Sequence, residues 1–140
     1  MKRLLPILSL CALIALTGCA LKSENAAQDT SWLANATPVY VSEWPDNALT
    51  AGLPRPESGE IDYIYDLVDS GHYAIWYKNI SIEQGKAYVQ ALKDAGFAEV
   101  ASEDGGVSVG TLLQKGDTTL SVALSEGVLG LLITQTAVQK

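Results

Sequence analysis

Two short turns near the C-terminal end constrain the fold of this chain more than any other feature. Gly116-Asp117 and Glu126-Gly127 each suit a two-residue hairpin loop. Read that way, the first turn pairs Leu113 with Leu120, Thr111 with Val122, and Val109 with Leu124. The second pairs Leu124 with Leu129, Val122 with Leu131, and Leu120 with Ile133. The two assignments are independent, yet they gather the same apolar residues onto one face. Thr119, Ser121, Ala123 and Ser125 fall on the other face and are small or polar. An antiparallel sheet with one buried and one wet face has this alternation.

A helix is predicted upstream. Ser81-Ile82-Glu83-Gln84 fits a capping box, with Ser81 as the cap and Gln84 at the third helical position. Tyr88, Ala91, Leu92 and Ala95 make an apolar stripe at helical spacing, with Lys86, Gln90, Lys93 and Asp94 toward solvent. Gly96 ends the helix in the left-handed region, and Phe97 folds back onto Leu92 as a Schellman cap requires.

Before it, residues 61–78 read as a β-hairpin. The turn chemistry is Asp69-Ser70-Gly71. A two-residue loop would mix charge with aromatics, so a three-residue loop with Gly71 left-handed is preferred. It sets Leu67 against Tyr73, Tyr65 against Ile75, and Tyr63 against Tyr77 on one apolar face. The opposite face carries Asp62 beside Lys78, Ile64 beside Trp76, and Val68 beside His72. A one-residue slip would exchange the faces.

The expected order is therefore ββαβββ, and the expected fold class is α+β. One helix lies on one face of an antiparallel sheet in two layers. The small α+β domain spans 39–136. Its first part, 39–58, is a Pro-rich arm with turn signals at Trp44-Pro45-Asp46-Asn47 and Leu53-Pro54-Arg55-Pro56. Trp44 is its expected anchor. Residues 19–38 are polar and small, without a sustained apolar period, and read as a flexible tether. Trp32 and Leu33 are exceptions that can dock on the domain.

At the N-terminus, Met1-Lys2-Arg3 precedes an apolar run from Leu4 to Leu16. The run is too short for the roughly 20 residues of a membrane-spanning helix, and it reads as a secretory signal over 1–18. The following Leu16-Thr17-Gly18-Cys19 resembles the lipobox of bacterial lipoproteins. That resemblance implies cleavage before Cys19 and lipidation of its sulfur. Ala20 after the cysteine is similar to outer-membrane lipoproteins of Gram-negative bacteria. The implied location is the cell envelope: the outer membrane in such a host, otherwise the outer face of the cytoplasmic membrane. Attachment through two or three acyl chains would be permanent, where a single chain holds only marginally.

Loss of residues 1–18 leaves seven Lys and Arg against sixteen Asp and Glu, a balance of −9. Such a charge disfavours nucleic acid as a partner. Cys11 leaves with the signal and Cys19 takes the lipid. The domain then has no thiol nucleophile, disulfide or Cys-ligated metal, and must rest on an apolar core.

Catalytic patterns are scarce. His72 is the single histidine and sits beside a turn, with Ser70 and Asp69 as sequence neighbours rather than a triad. Glu103-Asp104-Gly105-Gly106 reads as a turn. Calcium-loop and phosphate-loop spacings do not occur, so no cofactor and no metal is expected. Lys115-Gly116-Asp117 is explained by its turn.

Trp44-Pro45-Asp46-Asn47, Leu53-Pro54-Arg55-Pro56, and the stretch from Tyr88 to Gly96-Phe97 together resemble a small domain of unknown function found in bacterial lipoproteins. The resemblance covers about residues 40–135. It implies an envelope protein without catalytic residues, with Tyr88 and Phe97 in the core. The expected role is non-enzymatic binding of a partner or ligand. The candidate contact patch is Trp76, Ile64 and Val68, unless the arm with Trp44 covers it. The alternatives are an accessory subunit of an envelope assembly or transport complex, and a cell-wall or glycan hydrolase. A hydrolase would need two close carboxylates, one with a raised pKa.

Overall fold

The computed structural model describes residues 30–136. The expected signal at 1–18, the lipobox-like segment with Cys19, and most of the expected tether lie outside the described residues. Six strands form one antiparallel sheet: β1 Glu60–Leu67, β2 His72–Lys78, β3 Ala98–Asp104, β4 Ser108–Lys115, β5 Thr118–Ser125 and β6 Val128–Gln135. One helix, α1 Ile82–Asp94, connects β2 to β3, and the strand order is β1-β2-β6-β5-β4-β3. The architecture is α+β and mostly sheet.

The helix forms as its termini dictate. Gln84 N–H donates to Ser81 Oγ at 3.1 Å, and Ser81 N–H donates to Gln84 Oε1 at 2.9 Å. Both halves of the capping box are therefore made. At the other end Phe97 N–H reaches Leu92 O at 3.1 Å, and Gly96 N–H reaches Lys93 O at 3.0 Å. This is a Schellman motif, and Gly96 takes the φ of +101° that it needs. Tyr88, Val89 and Leu92 are buried, and Phe97 folds back into the same core. Gly85 brings the helix close to the sheet: a Cβ there would sit 2.4 Å from Leu124.

The C-terminal meander has the expected register. Leu113 faces Leu120, Thr111 faces Val122, and Val109 faces Leu124. Leu124 faces Leu129, Val122 faces Leu131, and Leu120 faces Ile133. All of these residues are buried.

Two expectations need correction. Among the described residues the strands number six, not five, because Ala98–Asp104 also pairs with β4. Every residue of β3 is exposed, so no buried face imposes alternation on its sequence. Its ladder to β4 makes it a strand. A bulge between Glu99 and Ala101 and three acidic side chains blunt the free edge.

The second correction is the hairpin register. Leu67 faces His72, Asp66 faces Tyr73, Tyr65 faces Ala74, Ile64 faces Ile75 and Tyr63 faces Trp76. The loop has four residues. Val68–Ser70 make a 3-10 turn and Gly71 closes it at φ +78°. Gly71 N–H donates to Val68 O at 2.9 Å, and Ser70 Oγ–H donates to Leu67 O at 2.9 Å. The extra residue turns Ile64 inward and leaves Tyr63 and Tyr65 on the other face. A bulge at Asp62 then returns Ile61 to the interior opposite Tyr77. The aliphatic side chains are buried, and the two hydroxyl-bearing rings stay at the wet face.

The arm lies on the helix side. Leu49 and Leu53 join the core, and Trp44 packs against it as expected. Asn47 organises the Trp-Pro-Asp-Asn turn. Its Oδ1 accepts from Leu49 N–H and Thr50 N–H, and Thr50 Oγ donates to Pro45 O at 2.7 Å. Tyr88 ties helix to arm by donating to Pro54 O at 3.0 Å. Val39 exchanges two 2.8 Å backbone hydrogen bonds with Ile64 and so covers the β1 edge. Within the stretch read as tether, Ser31–Asn35 forms a short 3-10 helix, and Trp32 docks on the domain.

Candidate functional site on the outer sheet face

The helix and the arm residues Leu49 and Leu53 lie on one side of the sheet; the other side, on which Trp32 and Tyr40 pack, is the candidate surface. Its aromatic end is built by β1 and β2. Tyr63 lies 6.0 Å from Trp76 and 5.6 Å from Tyr65 between ring centroids, and the exposed Tyr40 meets Tyr63 edge-on at 6.1 Å. Trp32 stacks on His72 at 4.9 Å and 17°. The His72 Nδ1 is 3.3 Å from Thr134 Oγ.

One rung of the sheet runs Tyr63, Trp76, Gly130, Ala123, Gly110, Glu103, each facing the next across a strand pair. Trp76 leans over Gly130, where a Cβ would lie 2.5 Å from the indole ring. Above Gly110 the space is open, with nothing within 4 Å of an added Cβ. Aromatic bulk followed by missing side chains leaves a groove of about 440 Å³. Trp76, Ala123, Gly110, Glu103, Ser108 and Ser125 line it.

The sequence-derived patch of Trp76, Ile64 and Val68 is not brought together. Ile64 is only 6% exposed and faces the helix side, because of the hairpin register. Val68 packs against that same core. Trp76 alone remains on the outer face, half-buried. Glu103, Gly110 and Gly130 were not legible as a site from spacing. The available signal was a glycine inside two strand patterns, which marks close approach of a side chain or ligand.

On the helix side, Lys86 bridges to Asp104 at 3.4 Å and Lys93 pairs with Glu99. The hydrogen bond from Lys93 holds the Glu99 carboxyl below its ordinary value. Gly106 N–H, with Lys86, does the same for Asp104. Both shifts favour the charged form, opposite to what a general acid at neutral pH requires. Burial raises the Tyr73 and Tyr77 hydroxyls to about 12 and pushes Tyr88 higher still, which marks them as core. Ser70 is bonded to Leu67 O rather than to His72. Among the described residues no group of three His, Cys, Asp or Glu is placed to hold a metal ion. No family model, curated protein or solved structure matches the chain.

Proposed function

We propose that this chain is a lipid-anchored protein of the bacterial cell envelope, without enzymatic activity, that binds a partner through the outer face of its sheet. The lipid is carried by Cys19, and the contact centres on Trp76. One observation carries the binding part of this reading. The face opposite the helix bears a connected set of aromatic rings, Tyr40, Tyr63, Tyr65 and Trp76, beside a concave groove. Aromatic residues are enriched where protein surfaces meet, and Trp and Tyr most often dominate the energy of such contacts. The attachment part rests on the lipobox-like Leu16-Thr17-Gly18-Cys19 after a short apolar run. The resemblance of the arm and helix motifs to a domain found in bacterial lipoproteins agrees with it.

Two measurements test the reading. Cys19→Ser is expected to block acylation and processing and to release the product from firm membrane association. Unchanged processed mass and membrane partition would remove the anchor. For the surface, a photo-crosslinking amino acid at position 76 is expected to trap an envelope protein in intact cells. The same group at Ala87, exposed on the helix, is expected to trap none. Equal yields from both positions would remove the outer face as the contact.

A further inference from the structure

The groove beside Trp76 carries a carboxylate at the end away from the indole ring. Of the three acidic side chains of β3, Glu99 and Asp104 point to the helix side and are paired with Lys93 and Lys86. Glu103 points the other way, lines the groove, and has no ion-pair partner among the described residues. Among the described residues, the lysines are engaged elsewhere. Lys78 bonds Asp62 at 3.6 Å on the outer face, and Lys115 donates to Ala95 O at 2.8 Å. A carboxylate at one end, an indole at the other and a floor of Ala123 and Gly110 between them define the complement. Neighbouring strands are about 4.8 Å apart, so the indole over Gly130 and the strand of Glu103 are separated by three spacings, roughly 14 Å. The whole chain carries −7, a balance that favours cationic partners in general.

We infer that the groove receives the cationic side chain of a protein partner, a lysine or arginine. Its apolar stem lies on Ala123, Gly110 and the Trp76 ring, and its charged head meets Glu103. Long basic side chains have this split character, apolar along the stem and charged at the tip. The aromatic wall adds attraction for the cation where the two approach. Ser108 and Ser125, on the adjoining rung, offer hydroxyl acceptors to the remaining N–H groups. This inference rests on the outer-face reading above and names the chemistry of the partner.

The test uses the full-length protein in micelles and follows the Trp76 indole N–H signal by NMR, assigned with Trp76→Phe. Acetylated and amidated tetralysine and tetra-arginine are titrated in, with tetraserine and spermine as controls. Either cationic peptide is expected to shift the Trp76 signal, saturably and with weakening at higher salt. Glu103→Gln is expected to weaken binding about tenfold. Gly110→Val fills the groove where an added Cβ meets nothing, so it is expected to abolish binding with the fold intact by circular dichroism. Equal binding of tetraserine, binding of spermine without the peptides, or wild-type affinity in Glu103→Gln or Gly110→Val would overturn the inference. Crosslinking from position 76 that persists while neither peptide binds would remove the cation and leave the outer-face reading standing.

Discussion

Replacing Ile64 and Tyr65 in turn with threonine separates the two hairpin registers. Threonine is β-branched, so both variants keep strand propensity and differ mainly in the face they perturb. Ile64 is buried opposite Ile75. Ile64→Thr removes about two methylene-sized groups, at about 0.8 kcal/mol each. It also buries a hydroxyl, which costs about 1–3 kcal/mol without a partner. The total is about 2.6–4.6 kcal/mol. Tyr65 faces Ala74 on the outer side, and its ring meets Tyr63 edge-on. Tyr65→Thr forfeits that pair and some partial burial, about 1 kcal/mol. With about 4–8 °C of Tm per kcal/mol for a domain of this size, Ile64→Thr is expected to lower Tm by more than about 10 °C. Tyr65→Thr should lower it by only a few degrees. Urea unfolding followed by circular dichroism measures both, and unchanged m-values would show that the same surface is exposed in each. The register preferred from periodicity, with Tyr65 inside and Ile64 outside, demands the reverse order. A Tyr65→Thr cost equal to or above that of Ile64→Thr would refute the burial argument.

Ser81→Ala is expected to destabilise by about 1 kcal/mol in chemical denaturation. A double-mutant cycle with Gln84→Ala should show coupling, and additivity of the two would contradict the reciprocal cap. Tyr73 and Tyr77 have hydroxyls raised from 10.0 to about 12 in the folded state. The stability this represents is complete below pH 10 and is lost as pH rises from 10 through about 12. Absorbance at 295 nm should therefore report phenolate together with unfolding in that window; independent early titration of the full tyrosine complement would rule it out. Asp104 is lowered from 3.8 by Gly106 N–H and Lys86, so its contribution is present above that value and fades as pH falls below it. Lys86→Met should move its NMR titration midpoint upward, and an unchanged midpoint would exclude the ion pair.

The aromatic half of the candidate site was partly legible, since alternation along β2 sets Trp76 on the face opposite Tyr73 and Tyr77. The groove was not. It depends on Gly130, Ala123, Gly110 and Glu103 standing on one rung, and residues so far apart in the chain align only once the sheet is assembled. Ile64 and Val68 were assigned to that face because the hairpin was read in isolation. Within the sheet, β6 fixes which side of β2 is inward, and β1 must then bury Ile61 and Ile64 against it.

What the sequence determined alone is what neighbouring residues settle among themselves. The capping box at Ser81, the Schellman turn at Gly96, and the meander set by two tight turns all close within a few residues, so local hydrogen bonds and alternation suffice. Only the tertiary structure decided the register of β1, the existence of β3 and the groove. An exposed edge strand has no buried face to write a pattern, and a one-residue change in a loop reverses a face at almost no local cost. Those choices are made by pairing with strands far away in the chain and by which side chains the shared core accepts.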